Sequence, residues 1–310
     1  MQMRKMAGMT GMAVVAMLLA IQWATTQTIV SANTIFVSNE GNHTIERFTS
    51  GSIGTVFAGV ENPTGLAFDA TGNLYVGKQG NDSAIVRITP EGRQSVFAHT
   101  NLNNPTGLAF DSSGDLYAAN GPGITTNPAS LRNTIVRISP DGSSSIFADT
   151  GLNAPMGLAF DQSGNLYVAN YFLDTIVRFT PTGESSVFAN TAMGPRGIAF
   201  DSSGDLYVAC SDANIIQEFS PSGVGTVFAT QGLRYPSDIA FDSEGFLYVV
   251  NVHNNTIERF NQIGLGSVYA NTGLNWPTNI AIQPVPEPAT LGLLTAGLGA
   301  FGLWRRKAHS

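Results

Sequence analysis

The chain has 310 residues, 43% hydrophobic and only 12% charged, with 34 Gly, one Cys and a formal net charge of −7. Its ends hold five of the 15 basic residues (Arg4, Lys5, Arg305, Arg306, Lys307) and one of the 22 acids (Glu287), which leaves 10 basic against 21 acidic residues between Asn33 and Pro284. Such a surface repels phosphate backbones and excludes nucleic acid as an expected partner, while the lone Cys210 excludes an internal disulfide framework.

The first segment, Met1 to Ala32, has the layout of a secretory signal peptide. Arg4 and Lys5 form a basic start, Met6 to Ile21 an apolar segment, and Val30-Ser31-Ala32 a small-residue cleavage site. Signal peptidase is then the first expected partner, and the mature chain begins near Asn33, outside the cytoplasm. A retained anchor is the alternative.

From Asn33 to Pro284 one sentence recurs. In Ala154 to Asn170, APMGLAFDQSGNLYVAN, a Pro-x-Gly start leads into an apolar run, an Asp-x-x-Gly turn and a second apolar run. Asp suits the first position of a type I turn and Gly the fourth, so the stretch reads as a β-hairpin. A third run follows at Thr175 to Phe179, then a Pro-x-Gly turn, then a fourth run at Ser186 to Ala189.

The starts Pro63, Pro105, Pro155, Pro195, Pro236 and Pro277 are spaced by 42, 50, 40, 41 and 41 residues, the long interval carrying an insertion around Gly121 to Arg132. Four short strands per ~40-residue period is the pattern of a β-propeller blade. Three strand-like runs (Thr34 to Ser38, Thr44 to Phe48, Gly54 to Ala58) precede the first Pro start, and one run (Asn279 to Ile282) follows the last. One plus three makes a sixth blade. The expected fold is therefore all-β, a six-bladed propeller over 33–284, fastened by pairing its C-terminal strand with its N-terminal three, which removes exposed edges. Leu158, Phe160, Tyr167, Val168, Ile176, Phe179 and Phe188, with their counterparts, are the expected core.

The Pro-x-Gly-Leu-Ala-Phe-Asp-x-x-Gly-Asn-Leu-Tyr-Val-Ala-Asn sentence resembles NHL-type repeats and the related gluconolactonase and streptogramin-lyase propellers. The resemblance implies the fold; it leaves activity open, because propellers host binding proteins and enzymes alike.

Two columns of the repeat should face one end of the central channel. The residue between Pro and Gly, or its equivalent, is Thr64, Thr106, Met156, Arg196, Ser237 or Thr278; the residue ending the second strand is Asn39, Lys78, Asn120, Asn170, Cys210 or Asn251. Arg196, Lys78, Asn120, Asn170 and Asn251 are the expected ligand-binding residues, for an anion or a sugar-like ligand; the competing reading has Asn and Thr satisfying backbone groups at strand ends. Gluconolactonase-type propellers hold a divalent metal through acids and Asn at first-strand starts, and the six positions here carry neither, so no metal and no cofactor is expected. Asp238 and His253 are the candidates for a catalytic group near the channel, with His43 in a similar loop. The turn aspartates Asp69, Asp111, Asp161, Asp201 and Asp242 read as turn caps. The third-strand Arg47, Arg87, Arg137, Arg178 and Arg259, one per blade, read as outer ion pairs or solvated side chains. Cys210 reads as a small semi-buried residue.

The C-terminal segment, 285–310, opens on Val285-Pro286-Glu287-Pro288, which cannot be regular helix or central strand. Ala289 to Trp304 is an apolar run of 16 residues, ~24 Å as a helix, closed by Arg305, Arg306 and Lys307, which stay on the cytoplasmic side of a membrane. This Val-Pro-Glu-Pro, short apolar helix and basic cluster resemble the PEP-CTERM sorting signal of Gram-negative bacteria. The resemblance implies recognition of Pro286, Glu287 and Pro288 by an exosortase, a transmembrane helix at 289–304 before processing, and a path from the periplasmic side of the inner membrane to the cell surface or exopolysaccharide matrix. An ordinary C-terminal anchor is the alternative.

The expected function is that of an exported binding or scaffold module for a glycan, protein or small molecule. The alternative is a divergent propeller hydrolase or lyase.

Overall fold

The computed structural model describes residues 33–49, 53–121 and 133–284. The expected signal peptide, the insertion beyond Gly121, and the Pro-Glu-Pro element with its apolar run lie outside the described residues. Within them no helix is long and apolar enough to cross a membrane.

The described residues form six four-stranded antiparallel sheets. Five are built in chain order from the Pro starts. Blade 3 is typical: its strands run Pro155–Phe160, Leu166–Asn170, Thr175–Phe179 and Ser185–Asn190, from the axis outward. The sixth sheet combines the two ends of the propeller sequence. Pro277–Ile282 takes the innermost place and pairs antiparallel with Ile35–Asn39, which continues outward to Thr44–Phe48 and Gly54–Gly59. Gln283 N–H donates to Thr34 C=O at 2.9 Å, so the first and last residues of the fold leave it side by side.

The innermost strands are longer than the apolar runs alone suggest, because each begins at its Pro. Pro155 pairs with Asn170, and the register then shifts before Leu158 pairs with Val168. The missing N–H costs nothing at a first strand position facing the channel, and the bulge turns the residues after Pro toward the axis. Each hairpin turn is held as its sequence requires. Asp161 Oδ1 accepts the N–H groups of Ser163 (2.9 Å) and Asn165 (2.8 Å), and Gly164 takes φ +80, open to glycine without strain.

The core is six apolar seams, one between each pair of neighbouring blades. A second-strand aromatic ties each seam. Tyr75, Tyr117, Tyr167 and Tyr207 each meet an outer-strand Phe of their own blade and an inner-strand Phe of the next, all edge-on with centroids 4.9–5.1 Å apart. Such pairs add about 0.5–1.5 kcal/mol each beyond the area they bury. Phe36 does the same work in the mixed sheet, between Phe57 and Phe68. At the last seam Tyr248 meets Tyr269 of its own blade, and Ile282 stands where the other blades have Phe. Leu158, Tyr167, Val168, Ile176 and Phe179 are buried as expected, while Phe160 and Phe188 are partly buried against the same seam system.

Candidate functional site

Where the innermost strands begin, a cavity of ≈ 220 Å³ opens on the axis. All six residues that follow the Pro starts line it: Thr64, Thr106, Met156, Arg196, Ser237 and Thr278. The strands approach one another closely there, which is why the next residue is Gly in four blades. A Cβ on Gly157 would lie 2.3 Å from Arg196 C=O, and one on Gly197 would lie 2.4 Å from Asp238 Cα. Blades 5 and 6 break this rule with Asp238 and Asn279, and both side chains line the cavity.

The hydroxyls of this ring are committed to the scaffold. Thr64 Oγ1 donates to Pro105 C=O (2.5 Å), Thr106 Oγ1 to Pro155 C=O (2.9 Å) and Ser237 Oγ to Thr278 C=O (2.7 Å). Thr278 shares a 3.0 Å hydrogen bond with Ser38. Each therefore stitches one blade to a neighbour or to its own second strand. Arg196, Asp238 and Glu40 are the charged residues of the described lining.

Asp238 Oδ2 accepts hydrogen bonds from Ile280 N–H at 3.0 Å and Asn279 Nδ2 at 3.2 Å, which ties blade 5 to blade 6. Burial pushes its carboxyl up to about 6; these bonds and the Arg196 charge pull the other way without offsetting it. Arg196 comes from blade 4 and its guanidinium lies 5.3 Å from the ring centroid of Tyr235 and 5.8 Å from that of Tyr171. Tyr171 OH donates to Asp212 Oδ2 (2.9 Å) and lies 3.2 Å from Tyr235 OH, so the two rings are fixed against each other. On Tyr235 the exposed His253 stacks at 4.5 Å.

The second-strand ends behave differently from the ligand-binding reading. Asn120, Asn170 and Asn251 are fully buried. Each donates from Nδ2 to a backbone carbonyl nineteen residues upstream (Asn101, Gly151, Gly232) and accepts at Oδ1 from a backbone N–H seventeen upstream (Asn103, Asn153, Arg234). Asn39 makes the same pair of bonds to Gly273 C=O and Asn275 N–H. An amide with both ends bound to the chain is a staple for the segment leading into its own blade, and the three asparagines turn no free polar atom to the cavity. Lys78 is also spent. It pairs with Asp82 at 2.5 Å and Glu61 at 3.5 Å, away from the cavity lining. Cys210 replaces the Asn in blade 4; it is fully buried rather than half-buried, and burial pushes its thiol up to about 12, which leaves no thiolate for chemistry.

His43 and His253 are not counterparts. His43 occupies a left-handed loop position (φ 57) that Asn133, Asp174, Asn214 and Asn255 fill in other blades. Its Nδ1 accepts the N–H of Asn62, as those side chains accept from Ala154, Gly194, Tyr235 and Trp276. The residue so held stands just before the Pro start and is itself left-handed in all six blades: Asn62, Asn104, Ala154, Gly194, Tyr235 and Trp276. Asn and Gly adopt that conformation easily; Tyr and Trp do so at a cost on the order of 1–3 kcal/mol. Blades 5 and 6 thus hold large rings at strained positions beside the cavity end. This column was not read from the sequence as functional. Aligning the residue before each Pro across the blades would have singled out Tyr235 and Trp276.

The turn aspartates cap their turns as expected. Of the third-strand arginines, Arg137 pairs with Asp115 and Arg259 lies 3.5 Å over the Phe246 ring, each within its own blade. Among the described residues no group of three His, Cys, Asp or Glu side chains gathers as a metal site would need.

Residues 284–307 match the PEP-CTERM protein-sorting motif. No curated protein sequence matches the chain. Among solved structures, a chain of the nidogen/laminin complex superposes with a TM-score of 0.71 at 21% identity, covering 81% of this chain and 98% of that one. Virginiamycin B lyase from Staphylococcus aureus gives 0.58 at 18% identity, covering 77% and 84%. A streptogramin B lyase gives 0.60 at 15%, covering 79% and 82%. At these identities the likeness is one of fold.

Proposed function

We propose that the chain is an exported binding propeller, cut free at its C-terminal sorting motif, whose ligand enters the channel at the Arg196 end. Residues 1–32 are the signal peptide that signal peptidase removes, 33–284 the propeller, and 285–310 the segment an exosortase recognises through Pro286, Glu287 and Pro288, with 289–304 spanning the membrane and Arg305 and Arg306 on its cytoplasmic side until processing. The propeller is latched by the mixed sheet in which Pro277–Ile282 joins Ile35–Asn39.

The observation that carries this reading is where the motif lies. The last strand ends at Ile282 and the matched motif begins at residue 284. A cut within the Pro-rich element falls beyond the last strand of the described residues and leaves all six of their sheets whole. The beginning has the same economy, since the first strand starts at Ile35, three residues past the expected cleavage site. The protein then reaches the cell surface or extracellular matrix of a Gram-negative bacterium as a complete propeller. The test is to replace Pro286, Glu287 and Pro288 together by Ala in the producing bacterium. The variant should stay with the membrane fraction; release equal to wild type would overturn the reading.

A divergent hydrolase or lyase is the second reading, favoured by Asp238, whose carboxyl titrates at about 6 in the cavity. His253, stacked on Tyr235, would be its partner. Activity on a lactone or on a streptogramin that is lost in both His253→Ala and Asp238→Asn would establish it.

A further inference from the structure

Among the described residues, Arg196 is the one cation lining the cavity. Four of its five counterparts are Thr or Ser and one is Met. The guanidinium is flanked by Tyr171 and Tyr235 and, among the described residues, its N–H groups have no hydrogen-bond or ion-pair partner; Asp238 acts on it only at longer range. The third-strand arginines Arg47, Arg87, Arg137, Arg178 and Arg259 are absent from this lining, whereas Arg196 stands on an innermost strand and lines it. A planar guanidinium held between rings is a pre-organised fork, and the group that fits the fork with two parallel bonds is a carboxylate or a phosphate.

The rest of the lining decides what carries that group. Apart from Met156 and glycine backbone, the wall is polar. Glu40, Gln79 and Asn279 offer both acceptors and donors, the pairing that hydroxyl groups need. The carboxylates of Glu40 and Asp238 repel a dianion such as a phosphate monoester more than a monoanion. A volume of ≈ 220 Å³ holds about seven waters at ~30 Å³ each, the displacement of one sugar ring rather than of a peptide chain. The rings of Tyr235 with His253, and of the exposed Trp276 in the next blade, border the same end of the axis in strained left-handed positions or stacked on one.

We propose that the channel mouth binds a sugar acid, with the carboxylate taken by Arg196 and the hydroxyls by Glu40, Gln79 and Asn279. The inference rests on the reading of this end of the channel as the ligand site.

Titration calorimetry on the full chain tests it with three probes: D-glucuronate, D-glucose, and a blocked dipeptide with a free C-terminal carboxylate. Glucuronate should bind at least tenfold more tightly than either of the others. Arg196→Lys keeps the charge but loses the fork, so with an unchanged melting temperature it should weaken glucuronate at least tenfold and leave glucose unaffected. Glucose binding as tightly as glucuronate would overturn the inference, as would preference for the dipeptide, an indifferent Arg196→Lys variant, or no binding of any probe. None of these outcomes alters release from the membrane, which the Pro-Glu-Pro variant reads separately.

Discussion

Replacing Asn251 by Ala separates scaffold from site. The side chain is fully buried and makes three hydrogen bonds: Nδ2 to Gly232 C=O (3.1 Å), Nδ2 to Thr256 Oγ1 (3.1 Å) and Oδ1 from Arg234 N–H (3.0 Å). Each such bond contributes about 1 kcal/mol net, and the segment before Pro236 loses its staple, so the expected cost is about 3 kcal/mol. For a domain of this size 1 kcal/mol moves the melting temperature by roughly 2–4 °C, which gives a fall of about 6–12 °C. Thermal unfolding followed by circular dichroism measures it. His253→Ala, an exposed neighbour that only stacks on Tyr235, serves as the control and should shift melting by no more than ~2 °C. An Asn251→Ala variant that melts with wild type would refute the staple and return the asparagine column to the ligand.

Asp238 should give the propeller a pH dependence of its own. Its folded carboxyl titrates at about 6 against a usual 3.8, so the folded state holds the proton more tightly. The charged groups that share its cavity are Arg196, on the adjoining inner strand and acting on it electrostatically, and Glu40. The resulting stability is fully present below about pH 4 and is lost as pH rises through about 6, worth up to about 3 kcal/mol. Urea unfolding of wild type and Asp238→Asn across pH 4–7 should show that difference, and parallel curves would contradict it. Gly197→Ala should destabilise by about 1–3 kcal/mol, because its Cβ would meet Asp238 Cα at 2.4 Å and Oδ1 at 2.5 Å with backbone on one side; an unchanged denaturant midpoint would show that the inner strands yield. Removing Asn275 to Pro284 takes away the innermost strand of the mixed sheet, and unfolding should then lose its single cooperative transition in calorimetry. An intact transition would mean that the other five blades hold the ring unaided.

Much of this architecture is written locally. The apolar run in Leu166 to Asn170, the Asp161 turn and the Pro155 start are each short-range signals, and five complete copies of them, with a sixth blade divided between the two ends, make the blade count and the split blade readable without coordinates. The site is written differently. Asn at a strand end is equally good as a ligand donor or as a staple, and only the partners of Asn120, Asn170 and Asn251 decide between them. Arg196 could be singled out because it departs from its column, and it does line the cavity. Its flanking rings could not, since Tyr171 follows a second strand in blade 3 and Tyr235 precedes a Pro in blade 5, and only the ring brings both to blade 4. Lys78 departs from its column as well, yet two local carboxylates, Glu61 and Asp82, capture it.

The intact mass of the protein recovered from the extracellular fraction of the producing bacterium tests most directly that this is an exported propeller freed at its sorting motif. The expected mass is that of a chain beginning near Asn33 and ending between Pro284 and Pro288, all six blades included. A released protein that still carries the Ala289 to Ser310 segment, or that retains Met1 to Ala32, would contradict it.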